Sequence, residues 1–237
     1  GDRNPFRISV DKKTGYLYWG EIGPDAGEDS ERGPKGHDEI NQARKAGNFG
    51  WPYFIGDNKP YSMYNFVTNT VGNKQDPAKP VNNSVNNTGR KELPAAQPAF
   101  IWYPYGDSKE FPEMLAGGRS AMAGPVFYSD EYKNSEVKFP PYLNGKLLIY
   151  DWVRDYVKVV KMKPNGDFEQ IEDHFSHLNF SHPMDMEFAP DGSLYVLEYG
   201  YKWWSFDKTT KMSRITFEKG NRPPVPKITV TDSIGPN

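Results

Sequence analysis

The chain has 237 residues, with 29 Lys and Arg against 31 Asp and Glu, so its net charge of −2 is spread over both signs. Phosphate binding needs a basic face or stripe, and none is visible, which excludes nucleic acid as the main partner. Cysteine is absent, so disulfide scaffolds, Cys-bearing zinc sites, iron–sulfur clusters and thiolate catalysis are excluded too.

The longest apolar stretch, Leu147–Leu148–Ile149–Tyr150, falls far short of the roughly 20 residues that cross a bilayer, so no membrane span is predicted. No basic-then-apolar leader precedes Asn4, and a signal peptide is expected to be absent or already removed. Mean hydropathy is low at −0.79, yet aromatic residues make up 15% of the chain, which disordered chains do not sustain. With 22 Gly and 21 Pro and little helical periodicity, the composition predicts an all-β fold with long polar loops.

In chain order, short β-branched, aliphatic and aromatic runs predict strands at Ile8–Val10 and Tyr16–Ile22, then at Phe100–Tyr103 and Pro125–Tyr128. A meander follows, with strands at Lys146–Trp152, Tyr156–Met162 and Phe168–Ile171, the last two joined at Asn165–Gly166, which supplies the positive φ of a tight hairpin. Met186–Phe188, Leu194–Tyr199 and Ser213–Phe217 complete the predicted strands. Residues 57–98 are rich in Asn, Pro and Lys and lack alternation, which reads as a long surface insertion. Residues 221–226 read as a proline-rich linker, and 227–237 as the opening strand of a further, Ig-like domain.

One pattern repeats. Gly15-x-Leu17-Tyr18-x-x-Glu21-x-Gly23 matches Gly192-x-Leu194-Tyr195-x-x-Glu198-x-Gly200, with the copies 177 residues apart. At about 40–50 residues per blade this spacing corresponds to roughly four blade periods of a β-propeller, with allowance for insertions.

Several residues could carry chemistry. The Gly-rich loop from Glu21 to Glu39 holds Asp25, Glu28, Asp29, Glu31 and Asp38. Hard oxygens on a turning backbone suit calcium, and a solvated acidic loop neutralised by Arg32 and Lys35 is the competing reading. His174, His177 and His182 do not have the spacing of a helical metal site. Glu21 and Glu198 would suit glycoside hydrolysis if they opposed one another across a cleft, although capping of strands or loop amides is the commoner use of such carboxylates. Trp203–Trp204 with Tyr199 and Tyr201, and Trp102–Tyr103–Pro104–Tyr105, could stack on sugar rings or serve as packing between blades.

Four motifs in order carry a resemblance: Arg3–Asn4–Pro5, then Glu21–Ile22–Gly23–Pro24, then Asp38–Glu39–Ile40–Asn41, then Ala46–Gly47–Asn48–Phe49–Gly50–Trp51–Pro52. Together they resemble the glucose/sorbosone dehydrogenase family, whose soluble members are six-bladed β-propellers that oxidise an aldose at C1 with pyrroloquinoline quinone (PQQ). The resemblance implies that residues 1–220 are the C-terminal portion of such a propeller, in a periplasmic or secreted bacterial protein. It implies that Arg3 and Asn4 contact quinone and sugar, and that the carbonyls of Gly23 and Pro24 hold an activating calcium. Asp38, Glu39 and the Phe49 carbonyl match a second calcium site.

In that family a histidine general base lies upstream of the Arg-Asn-Pro motif, so none is expected in this chain. Cations that pair with the quinone carboxylates are expected near Trp152–Arg154 and His182–Met184. Here Val153 and Met184 stand at apparent basic positions, leaving Arg154 and His182. The expected partners are a carbohydrate substrate or ligand, together with the preceding half of the propeller or a second copy of the chain. The alternative function is a non-catalytic, carbohydrate-binding propeller that uses Trp203 and Trp204.

Overall fold

A computed structural model describes residues 1–205, 207–218 and 220. The linker and Ig-like start expected at 221–237 lie outside the described residues. The strands in order are β1 (Pro5–Val10), β2 (Leu17–Glu21), β3 (Asp38–Ala43), β4 (Phe54–Ile55), β5 (Lys59–Pro60), β6 (Ser62–Asn65), β7 (Thr70–Lys74) and β8 (Ile101–Tyr103). They continue with β9 (Ala121–Phe127), β10 (Lys146–Asp151), β11 (Tyr156–Met162), β12 (Phe168–Glu172), β13 (Pro183–Phe188), β14 (Leu194–Glu198) and β15 (Lys211–Ile215).

Three antiparallel meanders form the body: β1-β2-β3-β8, β9-β10-β11-β12 and β13-β14-β15. Each has the antiparallel, sequence-order layout of a propeller blade. Two small hairpins, β4-β5 and β6-β7, stand outside them. Residues 57–98 therefore carry β5, β6 and β7 as well as turns.

The middle blade is buried on both faces, which is why Leu147–Tyr150 reads as an unbroken apolar run. Leu147 and Ile149 point into a core shared with Tyr18, Ile40 and Ile101 of the first blade. Leu148 and Tyr150 point the other way, into a core with Met186, Leu194 and Val196 of the third. The first two blades approach closely at Gly20, where a Cβ would lie 2.0 Å from the Ala121 carbonyl oxygen. The outer faces of the end blades keep apolar side chains in solvent: Ile8 and Val10 on β1, Leu197 and Met212 on β14 and β15.

The repeat has a third copy. Gly145-x-Leu147-x-x-x-Asp151 stands in the middle blade where Gly15-x-Leu17-x-x-x-Glu21 and Gly192-x-Leu194-x-x-x-Glu198 stand in the others. In all three the glycine turns into the second strand with positive φ, at 70°, 75° and 75° for Gly15, Gly145 and Gly192, a conformation only glycine adopts without strain. The copies at Gly15 and Gly192 belong to the first and third sheets, so they are two blades apart. Insertions, for which the expected spacing makes allowance and which are chiefly the 57 residues between β3 and β8, stretch two blades over the length of about four periods.

The second strand of each blade ends in a carboxylate paired across the ladder with the first residue of the inner strand: Glu21 with Pro5, Asp151 with Ala121, Glu198 with Pro183. Each carboxylate accepts a backbone amide from the segment entering that inner strand, from Arg3, Ser120 (3.0 Å) and Ser181 (2.7 Å). This latch fixes how the chain enters every blade. It also brings Arg3–Asn4, Gly118–Ser120 and Ser181–His182 to the same end of the blades as the turns after β2, β10 and β14.

Candidate functional site

That end carries most of the residues singled out from the sequence. Arg3 is exposed; its guanidinium donates to the Ile22 carbonyl at 2.9 Å and lies 5.8 Å from the Trp51 ring centre. The Asn4 carbonyl accepts the Ile22 amide. Beneath them Glu21 and Glu39 face one another across β2 and β3, and both are buried. Asn41 bridges them, its amide 3.0 Å from Glu39 and 3.5 Å from Glu21. Glu39 also accepts the Gly56 amide at 2.5 Å.

Burial is the main reason the Glu21 carboxyl is pushed up to about 7, offset by the Arg3 amide and reinforced by nearby Asp2. Burial pushes Glu39 further, to about 8, with Glu21 and Asp38 adding repulsion. Burial thus favours the protonated form of both carboxyls.

Asp38 does not join them. As the neighbour of Glu39 on β3 it points to the opposite face, where it accepts the Gly23 amide at 3.0 Å and the Ala121 amide at 3.1 Å. Its partner there is Arg119, 3.2 Å away, with both side chains about 1% exposed. Burial nevertheless raises Asp38 to about 6, the guanidinium offsetting only part of the desolvation. Asp38 and Glu39 are thus not brought together as side-chain ligands for one ion. Among the described residues no group of three His, Asp or Glu is arranged to hold a metal.

Gly23 is packed so tightly that a Cβ would lie 1.8 Å from the His37 carbonyl oxygen. The Pro24 carbonyl, expected as a calcium ligand, accepts a hydrogen bond from Arg119 at 2.8 Å. A cation opposed to that guanidinium would be repelled.

Arg154 is fully occupied. Its five N–H groups reach the carbonyls of Gly118, Met114, Leu115, Pro104 and Gly117 at 2.6–3.2 Å, and its plane lies 4.6 Å from the Tyr103 ring centre. His182 is held by Asp155, through its ring nitrogen at 2.9 Å and its amide at 2.6 Å. The groups expected to meet an anionic quinone are therefore spent on carbonyls or already paired with a carboxylate. The arrangement of this chain's own residues does not fit PQQ, nor calcium at Pro24.

The same end offers an aromatic ledge instead. The Trp152 ring lies 4.4 Å from His182 and 4.7 Å from Trp203, and Tyr201 flanks His182 at 5.1 Å. Trp203 is 58% exposed and Trp204 90%, and the Trp152 indole N–H has no hydrogen-bond partner among the described residues. The Trp152 N–H is itself buried, so the ledge offers exposed aromatic faces, which suit the C–H faces of a sugar.

Glu198 and Glu21 lie in different blades and act as latches, each binding a backbone amide; Glu198 also accepts the Ser181 hydroxyl at 3.0 Å and that of Ser213. The amide-binding reading of these carboxylates is the one the structure supports. The histidines are dispersed as well, His174 pairing with Glu172 at 2.6 Å and His182 with Asp155.

Sequence reasoning missed Asp151, Arg119 and Asp155. Asp151 was detectable through Gly-x-Leu-x-x-x-Asp once aspartate was allowed for glutamate. Arg119 sits in the irregular segment before β9 and Asp155 in the turn before β11, neither with a local signal.

The glucose/sorbosone dehydrogenase family matches residues 1–90. Among solved structures, a glucose dehydrogenase is similar at 15% identity with a TM-score of 0.49, covering 91% of this chain and 45% of its own. A glucose dehydrogenase-type oxidoreductase from Thermus thermophilus is similar at 19% identity and TM-score 0.48, covering 90% and 45%. The PQQ-bound aldose sugar dehydrogenase of Streptomyces coelicolor is similar at 11% identity and TM-score 0.46, covering 91% and 43%. The chain thus spans less than half the length of these proteins. No curated protein matches it.

Proposed function

Residues 1–90 match the glucose/sorbosone dehydrogenase family, and from that premise we propose that this chain is the carbohydrate-binding part of a sugar-dehydrogenase-type propeller. The observation that carries the reading is the ledge of Trp152, His182 and Trp203, at the same end of the blades as Arg3 and Asn4. The whole protein, in a periplasmic or secreted setting, would oxidise an aldose at C1 only with a quinone, held by residues outside this chain, to accept the hydride. The exposed Ile8 and Val10 and the exposed Leu197 and Met212 are the faces on which further blades would sit.

In this role the exposed ring of Trp203 supplies a face for the pyranose ring. Desolvated stacking of this kind orients a neutral ring without requiring charge.

The second reading is binding without oxidation. It is favoured by Arg154, whose donors are all committed to carbonyls, and by His182, already paired with Asp155.

Titrating the chain with aldoses while following tryptophan fluorescence tests the shared premise. Saturable binding lost in Trp203→Ala is expected, and no response to any aldose would overturn it. Adding PQQ and calcium to the protein containing all its blades, and recording the bound-quinone spectrum, separates the two readings.

A further inference from the structure

The end of the blades opposite the latches carries a groove of its own. There Phe127 of β9 pairs with Lys146 of β10, and Leu194 of β14 with Ile215 of β15. The segment joining β9 to β10 crosses this end with short 3-10 turns at Ser129–Tyr132 and Pro141–Leu143. The Phe217 amide donates to the Val137 carbonyl at 3.0 Å, so the chain leaving β15 runs alongside that segment. Beside this contact lies a groove of about 780 Å³ walled by Val137, Phe139, Pro140, Pro141, Tyr142 and Phe217. A volume of that size accommodates a short peptide.

Three observations point to one occupant. The walls are pyrrolidine and aromatic rings, with Phe139 buried and Tyr142 still 55% exposed. Such surfaces take polyproline II segments, whose fixed φ leaves little entropy to lose on docking. The charge at the groove is acidic where it is exposed. The Lys138 ammonium is occupied by the carbonyls of Ser129 and Lys133 at 3.2 and 3.4 Å, whereas Glu136 faces solvent. Finally, Glu218 itself lines the groove, and the sequence continues from it to Arg222–Pro223–Pro224–Val225–Pro226. The four intervening residues reach at most about 14 Å, a tether that gives the proline run an effective concentration on the order of millimolar.

We propose that Pro223–Pro224–Val225–Pro226 of this same chain occupies the groove, with Arg222 set against Glu136. The pyrrolidine rings cover Tyr142 and Phe217, and the Arg222 charge meets the one exposed acid that Lys138 leaves unpaired. The contact ties residues 227–237 to the end of the blades remote from Trp152 and Trp203, so the aromatic ledge stays open. It forms whether or not the ledge binds a sugar.

The chain has no cysteine, so the pair Glu136→Cys, Arg222→Cys reports the contact while leaving the rings and prolines in place. A disulfide closes when the two Cα atoms come within about 7 Å. In the full chain under mild oxidation, the intramolecular disulfide is expected to form about tenfold faster than in the same pair carrying Pro223→Ala, Pro224→Ala and Pro226→Ala, or Tyr142→Ala. Equal urea midpoints of the reduced proteins establish that the blades are intact in each. Equal rates of closure, no closure, or disulfides only between two copies would each overturn the proposal. In the chain without cysteines, trypsin should cut after Lys219 and Lys227 about tenfold faster once Tyr142 is replaced by Ala. Unchanged cleavage there would overturn it as well.

Discussion

Asp38 of β3 and Arg119, just ahead of β9, form an ion pair at 3.2 Å with both side chains about 1% exposed. It joins the first blade to the second, and through the Pro24 carbonyl it also pins the loop that carries Gly23. A buried pair of this kind gives little net stability over an apolar replacement, yet breaking it strands a charge.

Arg119→Ala is therefore expected to cost about 3–5 kcal/mol, read as a lower urea midpoint. The double variant Asp38→Asn, Arg119→Met removes the stranded charge but sets an amide nitrogen against the Gly23 or Ala121 N–H and leaves the Pro24 carbonyl without its donor, so it should recover only part of that loss. If the double variant is no more stable than the single one, the stranded charge is not the cause.

Glu39 gives a pH signature. Its folded value of about 8 lies above its ordinary 4.5, so the folded chain holds a proton that the unfolded chain has released. Stability falls as pH rises through that interval, because unfolding releases the proton. Glu39→Gln removes the share of the dependence due to Glu39, while Glu21 and Asp38, raised to about 7 and about 6, keep theirs. In chelator-treated protein the variant's stability relative to the native chain should thus improve as pH rises from about 4.5 to about 8. Comparing the two chains at each pH cancels the opposing contribution of His37, which burial lowers to about 4.

Arg154→Lys should behave as a structural lesion. Lysine cannot satisfy carbonyls on both sides of a planar fork, so about 2–3 kcal/mol is expected to be lost with the charged hydrogen bonds. Limited proteolysis should then cut within the loop containing Pro104, Met114 and Gly118. Intact protection of that loop would count against the role assigned to Arg154.

Trp203→Ala is expected to leave stability within about 0.5 kcal/mol, since the side chain is largely exposed, while weakening sugar binding about tenfold. Parallel urea and fluorescence titrations separate the two effects. Loss of stability with sugar affinity retained would identify Trp203 as packing.

Most long strands were legible because alternation or continuous apolarity marks a ladder. Tyr156–Met162 falls at its predicted bounds, and β10 ends one residue short of the expected Trp152, at the Asp151 latch. The strand that went unread is β3, whose Asp-Glu-Ile-Asn-Gln-Ala sequence looks like part of a solvated acidic loop. Its carboxylates can be buried because the amides of Gly23, Gly56 and Ala121 satisfy them, and hydropathy cannot register partners that arrive from 15, 17 and 83 positions away. The two hairpins at 54–74 were missed for a related reason: their short, half-exposed strands carry no apolar stripe.

The sequence alone determined the class of fold, the family motifs and the turn glycines, since each depends on local backbone chemistry or residue order. It also placed Arg3, Asn4, Arg154 and His182 at strand entries and turns. Tertiary structure decided which of these remain available. A guanidinium or imidazole has the same formula whether it faces solvent or five carbonyls, and only the packing of neighbouring blades reveals that Arg154 and His182 are already engaged while Trp203 is exposed.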